Sequence, residues 1–160
     1  MSGPVLHLLC GKIAAGKSTL AARLSAEPGH VLIVEDDWLA TLFGDEMKTG
    51  ADFIRYHPRL RAVLGPHIVA LLRAGVSVVL DGPANTVAQR DWMRGVIDAA
   101  GVEHVLHLLD PPDAVCLERL ARRNASGTHA FQITPEMFAR FSAHFDPPGA
   151  DEGFVIQRHD

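Results

Sequence analysis

The chain has 160 residues, of which 48% are hydrophobic and 21% are charged. That size and balance suit one domain with a sizeable apolar core, and they exclude a disordered or fibrous chain. Nineteen acidic residues against fifteen basic ones give a net charge of −4, which excludes a protein that coats extended duplex nucleic acid through a basic surface.

Five short apolar runs, each ended by polar or turn-forming residues, predict buried strands. They cover residues 5–10, 31–36, 76–81, 104–110 and 154–158. Their nearly uninterrupted apolar character is typical of strands covered on both faces, as in a parallel sheet. The segments between them have helical spacing, so we predict a single three-layer α/β domain over residues 1–160. Its active residues should gather at the carboxyl ends of the strands.

Local signals mark the helices of this alternating pattern. Apolar residues at three- and four-residue steps across 60–72 predict a helix that kinks or restarts at Pro66. Thr86 followed by Gln89 predicts a capping box at the start of the next helix. An aspartate–proline pair at residues 110–111 predicts a further helix start after the fourth strand.

The segment 124–132 differs from its surroundings because it is rich in small and polar residues. It lies between two well-marked helices, and the second of these is predicted to start at Thr134 and Pro135. We therefore predict a short mobile lid over about residues 123–133.

The strongest motif directly follows the first apolar run. Residues 11–19 fit the pattern G-x-x-x-x-G-K-[ST] at every required position, and a predicted helix follows them. In such a loop, backbone N–H groups and the start of a helix surround phosphate oxygens. Lys17 would bridge the β- and γ-phosphates, and the Ser18 hydroxyl would bind Mg²⁺. The predicted contacts of the nucleoside triphosphate are Gly11, Ala14, Ala15, Gly16, Lys17, Ser18 and Thr19.

Acidic residues at two predicted strand ends extend this interpretation. Asp36 and Asp37 end the second run, where a carboxylate could accept the proton of an acceptor hydroxyl. We favour Asp36 as the base and Asp37 as an acceptor contact, but either acid could simply cap the following helix. Asp81 ends the third run, which resembles a Walker B element that holds Mg²⁺ through water. Alternatively, Asp81 only opens the turn at Gly82 and Pro83.

Arginines lie on the helix that leads into the predicted lid. Arg119, Arg122 and Arg123 are spaced by three and four residues, so a guanidinium from this helix can reach a bound nucleotide. Such a group would neutralise charge on the transferred phosphoryl. We predict Arg119 and Arg123 as nucleotide-binding and catalytic residues, and the remaining arginine as solvated or paired with Glu118.

Other features concern the phosphate acceptor and metals. A basic stretch with one tyrosine, residues 55–61, follows the acid pair. Within it, Arg55 is either an acceptor contact or part of a solvated helix start. Asn85 is a second candidate acceptor contact. The nine histidines show no spacing that predicts a zinc site.

The missing signatures narrow the choice of activity. The guanine-binding motifs N-K-x-D and T-K-x-D are absent, and a transporter ATPase or ring-forming motor would need a longer chain. The small size, lid and arginines favour a kinase that moves the γ-phosphate of ATP to a hydroxyl group. Two alternatives stay open, namely a nucleotide-binding switch with little transferase activity and a simple ATP hydrolase.

Targeting signals are also missing from the sequence. No charged leader precedes a long apolar run, and no run approaches the length of a membrane span. The only cysteines are Cys10 and Cys116. We therefore expect a cytoplasmic protein with reduced thiols and no membrane partner.

These residues resemble the P-loop kinases of the polynucleotide-kinase, zeta-toxin and chloramphenicol-phosphotransferase group. Within it, the chain is most similar to small bacterial proteins described only as predicted kinases or ATP-binding proteins. The resemblance rests on residues 11–19, on Asp36 with Asp37, on residues 81–90 and on residues 119–123. It implies a P-loop fold with a parallel sheet of order 2-3-1-4-5, and ATP with Mg²⁺. It also implies Asp36 as the base, because polynucleotide kinases use the first acid of an equivalent pair.

Two positions depart from that family's pattern. Polynucleotide kinases have an arginine shortly after the acid pair that holds the acceptor phosphate, and Leu39 or its neighbours stand there in this chain. They also have a second lid arginine a few residues past the position of Arg123, where this chain has residues 124–127 without an arginine. The resemblance therefore supports kinase chemistry more strongly than a nucleic-acid acceptor. We expect the acceptor to be a small molecule, a nucleotide or a nucleic-acid end.

Overall fold

The computed structural model of the chain describes residues 3–127 and 133–159. Its strands are β1 (Val5–Gly11), β2 (His30–Val34), β3 (Ser77–Asp81), β4 (Glu103–Leu109) and β5 (Ile156–His159). Its helices are α1 (Lys17–Ser25), α2 (Glu35–Phe43), α3 (Gly50–Arg73), α4 (Val87–Ala100), α5 (Asp113–Ser126) and α6 (Pro135–Ala143), with a 3₁₀ turn at Ala150–Glu152. These strands pair in parallel in the order β2-β3-β1-β4-β5, which confirms the predicted P-loop sheet.

The sheet separates two apolar cores because side chains alternate between its faces. Leu6 and Leu8 of β1 face the core that is built with α3 and α4. Leu9 of the same strand faces the second core, which is built with α1, α5 and α6. The result is the predicted three-layer arrangement, with helices on both faces of a buried sheet.

The second strand ends two residues earlier than the apolar pattern predicted. β2 stops at Val34, and α2 begins at Glu35, so Asp36 and Asp37 lie in the first turn of a helix. Val34 is the N-cap, and no side chain caps this helix. Capping therefore does not account for the acid pair, although its negative charge is favourable near a helix N-terminus.

Helix α3 is continuous, although the sequence predicted a kink or restart at Pro66. Pro58 and Pro66 both lie inside the helix at exposed positions. The buried face keeps its four-residue spacing past both prolines, through Leu60, Leu64, Ile68 and Leu72. We attribute the continuity to this packed face, which offsets the backbone hydrogen bonds that the prolines remove.

The starts of α4 and α6 follow the predicted caps, with one change of partner at α4. Thr86 accepts a hydrogen bond from the Gln89 backbone N–H at 3.2 Å, but Gln89 Oε1 accepts from the backbone N–H of Asn85 at 2.9 Å instead of completing the box. Thr134 caps α6 by accepting from the Met137 N–H at 3.1 Å. Local sequence therefore predicted these two caps. The third prediction, a helix start at Asp110 and Pro111, is wrong, because α5 starts at Asp113 with Pro112 as its N-cap and no side-chain cap.

The predicted lid coincides only partly with described residues. α5 begins three residues after Asp110 and continues to Ser126, so the first part of the predicted lid is helical, and the helix ends at Gly127 with φ +65°. Residues 128–132 lie outside the described residues. Asn124 joins the two sides of that segment, because its Nδ2 donates to the Ile133 carbonyl at 2.7 Å and its Oδ1 accepts from the Ile133 N–H at 3.3 Å. No helix in the described ranges is long and apolar enough to cross a membrane.

Candidate active site

The phosphate loop joins β1 to α1, and its backbone requires glycine at two positions, Gly11 and Gly16. A Cβ atom at Gly11 would lie 2.7 Å from the carbonyl oxygen of Leu109 in β4, which is closer than such contacts occur. Gly16, which caps α1, has φ +105°, a conformation that favours glycine. Ala14 has φ +63° and is the one non-glycine residue with positive φ in the described part of the chain. The loop thus holds a folded shape that the sequence motif predicts.

The carbonyl oxygen of Gly11 holds two side chains against the loop. It accepts a short hydrogen bond from Lys17 Nζ and another from Asn85 Nδ2 at 2.8 Å. Asn85 Oδ1 in turn accepts from the Gly11 N–H at 3.1 Å. Asn85 was predicted as an acceptor contact, and the structure places both ends of its amide on the phosphate loop. Burial lowers the pKa of Lys17, while the negative charge of Asp81 acts in the opposite direction.

The two predicted metal ligands lie together. Ser18 Oγ, at the start of α1, donates to Asp81 Oδ2, at the end of β3, at 3.1 Å. Burial raises the pKa of Asp81, and the hydrogen bond from Ser18 opposes this shift. A hydroxyl and a carboxylate from two different elements are the oxygen ligands that Mg²⁺ prefers. The pair therefore fits the ion that the motif implies.

The acid pair lies at the same end of the sheet. Asp36 is solvent-accessible, but desolvation by the protein around its carboxylate raises its pKa, and the charge of Glu35 raises it further. The positive charge of Lys17 opposes this shift, and Asp36 also raises the pKa of Asp81. Asp37 is exposed beside it on α2. Asp36, Lys17 and Asp81 thus influence one another electrostatically across α2, α1 and β3.

The arginines of α5 have three different environments. Arg119 Nη1 donates to the backbone carbonyls of Ala15 at 3.1 Å and Ala14 at 3.3 Å, so its guanidinium lies on the phosphate loop. Arg122 pairs with Glu118 in solvent. Arg123 is half-buried, and its Nε atom is buried with no hydrogen-bond partner within the described ranges. Of the two predicted nucleotide contacts, Arg119 directly touches the loop.

A cavity of about 610 Å³ adjoins the phosphate loop on the side of β4 and β5. Polar and cationic side chains from α1, α5 and β5 form much of its wall. Its lining consists of Ala15, Gly16, Thr19, Leu20, Arg23, Leu109, Arg119, Arg158 and His159. The predicted loop residues Ala15, Gly16 and Thr19 and the predicted arginine Arg119 therefore share this cavity.

The side of α2 and α3 has a buried leucine and exposed arginines around a tyrosine ring. Leu39, at the position where polynucleotide kinases have an arginine, is 2% exposed and packs in the core. Arg55 is exposed on α3, and its guanidinium lies 5.4 Å from the centre of the Tyr56 ring, with Arg59 at 5.5 Å from the same ring. Two cations around one aromatic ring thus flank the start of the long helix.

Sequence reasoning missed a buried polar cluster behind the acid pair. Glu35 has no exposed surface and accepts hydrogen bonds from His57 and Arg61 of α3. One signal could have revealed it, because Arg61 lies three residues before Leu64 and seven before Ile68, which places it on the predicted apolar face of the helix. A cation at such a position needs a buried partner.

Sequence reasoning also missed a row of histidines across the sheet. His7 Nδ1 lies 2.9 Å from His107 Nε2, and His107 Nδ1 lies 2.8 Å from His159 Nε2. Burial lowers the pKa of His107 to about 4, and the neighbouring His7 and His159 contribute to the shift. The row ends at the cavity beside the phosphate loop, because His159 lines it. In the described residues, no group of three or more metal-binding side chains is arranged to hold a metal ion.

Comparisons with known proteins agree with this geometry. The model of the AAA-domain family matches residues 6–148. Among solved structures, a candidate kinase from Chloroflexus aurantiacus superposes with a TM-score of 0.76 at 20% identity, over 100% of this chain and 86% of that one. A chain of the Pnkp1/Rnl/Hen1 RNA repair complex gives 0.69 at 19% identity, over 90% and 44%. A sugar kinase from Janibacter sp. HTCC2649 gives 0.62 at 20% identity, over 98% and 85%. No curated protein sequence matches the chain.

Proposed function

The chain belongs to the AAA-domain family, and from that premise we propose that it is an ATP-dependent kinase that transfers the γ-phosphate of ATP to a hydroxyl group. The observation that carries this proposal is the convergence of a complete phosphate loop with two carboxylates, Asp36 and Asp81, at one end of the sheet. Binding alone would need only the loop. The second carboxylate, that of Asp36, has a raised pKa and interacts electrostatically with Lys17, and both properties suit proton transfer.

The proposed reaction assigns one task to each side chain. Asp36 accepts the proton of the acceptor hydroxyl while the hydroxyl oxygen forms a bond to the γ-phosphorus. The bond from that phosphorus to the β–γ bridging oxygen breaks, and ADP leaves with the released electron pair. Lys17 and Arg119, with Arg123 as a further candidate, offset the negative charge on the transferred phosphoryl and the leaving group. Lys17 would exchange its present bond to the Gly11 carbonyl for phosphate oxygens.

Ser18 and Asp81 would hold Mg²⁺. When bound, the ion would neutralise charge on the β- and γ-phosphates. The chain itself contributes two oxygen ligands already held 3.1 Å apart, and the phosphate loop contributes the backbone N–H groups of residues 14–19.

We assign the nucleoside of ATP to the cavity beside the loop. Arg119 and Thr19 form the part of this cavity nearest the phosphates, and His159 and Arg158 of β5 belong to its wall. Leu20 and Leu109 supply apolar surface for the base. The volume of about 610 Å³ is in the range of ordinary small-molecule sites.

The acceptor would bind on the side of α2 and α3. Asp37 and Arg55 are exposed there and are the candidate contacts. Because Leu39 is buried, we propose that the acceptor is a small hydroxylated molecule or a nucleotide end rather than a polynucleotide gripped through its phosphate at that position. The names of the structural neighbours include both a sugar kinase and an RNA repair complex, so the panel below covers both acceptor classes.

The test is phosphoryl transfer from γ-labelled ATP to a mixed panel of sugars, nucleosides and 5′-hydroxyl oligonucleotides, with separation of the labelled products. We expect a labelled product with the unaltered protein and none with Lys17→Met. Asp36→Asn should keep ATP binding and lose transfer by roughly 10²-fold or more, while Asp37→Asn serves as the matched variant on the same helix turn. Tight ATP binding without any labelled product would favour a nucleotide-binding switch. Phosphate release without an acceptor would favour a hydrolase.

A further inference from the structure

A fully buried carboxylate directly precedes the acid pair. Glu35 has 0% exposed surface and accepts hydrogen bonds from His57 Nε2 at 2.7 Å, Arg61 Nε at 3.0 Å and Arg61 Nη2 at 3.1 Å. Burial by itself would raise the pKa of Glu35, but the hydrogen bonds from His57 and Arg61 outweigh it and hold the pKa below its ordinary value. Glu35 is therefore ionised at neutral pH, behind Asp36 in the first turn of α2.

The same cluster is bound to the turn that follows Asp81. Arg61 Nη2 donates to the carbonyl of Pro83 at 2.7 Å. Gly82 packs against the Glu35 carboxylate so closely that a Cβ atom there would lie 1.5 Å from Glu35 Oε2. The guanidinium of Arg61 is held from its other face by the ring of Trp92, 4.3 Å away. One ion pair thus ties α2, α3 and the end of β3 together.

Stability alone does not explain such a cluster. Removing an ion pair from water is costly, and apolar side chains of similar volume often stabilise a core equally well or better. The Glu35–Arg61 pair fixes the orientation of the Glu35 carboxylate. Two parallel hydrogen bonds from Arg61 and one from the buried His57 allow that carboxylate a single orientation. That orientation fixes the first turn of α2 relative to the end of β3.

We propose that Glu35 is a positioning residue, which with Arg61 and His57 holds Asp36 at a fixed place relative to Asp81. The inference rests on the proposed function for the role of Asp36 as the base. Glu35 acts through Asp36 and does not touch the reacting atoms. Its negative charge also keeps the proton affinity of Asp36 high, which improves a general base that would otherwise be weak at neutral pH.

The charged and titratable neighbours of Asp36 come from four elements, so the effect of Glu35 must be separated from theirs. They are Lys17 of α1, Glu35 and Asp37 of α2, His57 of α3 and, through the mutual effect described above, Asp81 of β3. After burial, the negative charge of Glu35 is the largest influence on the pKa of Asp36. A variant that removes Glu35 and Arg61 together deletes the contacts that hold the first turn of α2, leaves no buried unpaired cation and keeps the local net charge unchanged.

The experiment compares the unaltered protein with Glu35→Gln and with the double variant Glu35→Gln/Arg61→Met. The matched control is Arg90→Met/Glu152→Gln, because the fully buried Arg90 and the half-buried Glu152 form a second two-bond ion pair, with bonds of 2.7 and 3.1 Å. That pair is not among the groups that shift the pKa of Asp36. The measurements are the Asp36 carboxyl titration by ¹³C NMR, the thermal unfolding temperature and the rate of labelled phosphoryl transfer.

We expect the Asp36 pKa to fall in Glu35→Gln, because the negative charge of Glu35 is, after burial, the largest cause that raises it. The fall should be smaller in the double variant, which also loses the Arg61 cation, and the control should show no change. The double variant should unfold within a few degrees of the unaltered protein yet lose transfer by roughly 10-fold or more. If the pair is only structural, the double variant will regain both stability and rate, and the inference is overturned.

Three outcomes separate this inference from the proposed function. An Asp36 pKa that does not change in a folded Glu35→Gln variant, together with an unaltered transfer rate, overturns the positioning role. If the unaltered protein transfers phosphate to no acceptor, the kinase proposal fails, and the role of Glu35 in fixing a base fails with it. A wild-type transfer rate in a well-folded double variant refutes only the positioning role of Glu35 and does not affect the kinase proposal.

Discussion

Replacement of the central histidine of the sheet should change how stability depends on pH. His107 is 2% exposed and lies between His7 and His159, with its pKa lowered to about 4 by burial first and then by these neighbours. The same side chain has a pKa of 6.5 when it is fully solvated. We predict that His107→Gln removes much of the acid sensitivity of the fold.

The sign and size follow from proton linkage. Between pH 6.5 and about 4, the unfolded chain binds a proton at His107 and the folded chain does not, so acid favours unfolding. The difference of about 2.5 pKa units corresponds to about 3 kcal/mol of unfolding free energy lost across that range. The loss is complete near pH 4, where both states carry the proton.

The assay is urea unfolding at several pH values between 7.5 and 4, followed by the fluorescence of Trp38 and Trp92, which both pack against the core. The unaltered protein should lose about 3 kcal/mol more than His107→Gln over this interval. His67→Gln, at an exposed position of α3, is the matched control and should keep the full pH dependence. Parallel curves for the unaltered protein and His107→Gln would refute the reasoning, because the burial of this imidazole would then carry no energetic cost.

Two predictions concern the phosphate loop. Gly11→Ala should weaken ATP binding by at least roughly 10-fold in titration calorimetry, because the added methyl group would lie 2.7 Å from the Leu109 carbonyl and displace the loop; unchanged affinity would show that the loop tolerates the shift. Arg119→Ala should raise the KM for ATP by roughly 10-fold, since its guanidinium lies on the loop carbonyl of Ala15, whereas Arg122→Ala, which removes a solvated pair, should leave the KM unaltered. Equal effects of the two arginine variants would contradict this assignment.

The sequence by itself determined the parts of the protein that depend on contiguous residues. The phosphate loop is one, because its shape is set by the glycines and the helix start within residues 11–19. The strands were predicted to within two residues at every end, because a buried parallel strand is apolar over its whole length. The order of the strands came from the family resemblance and not from this pattern, since apolar runs carry no information on which strand is the neighbour of which.

The boundary between β2 and α2 shows where local patterns stopped being sufficient. The apolar run predicted a strand to Asp36, but the helix starts at Glu35. Glu35 is as buried as a strand residue, but the reason for its burial is its ion pair with Arg61, which lies 26 positions further along the chain. Local periodicity cannot predict a partner at that separation.

Only the tertiary structure decided which polar groups meet. Arg119 reaches Ala15 across 104 positions, His7 reaches His107 across 100, and Asn85 reaches Gly11 across 74. Each contact depends on strand order and on the faces that the strands present, which are settled when the two cores pack. The chemistry of the phosphate loop is thus determined by contiguous residues, while the positions of its partners depend on how distant strands and helices pack around it.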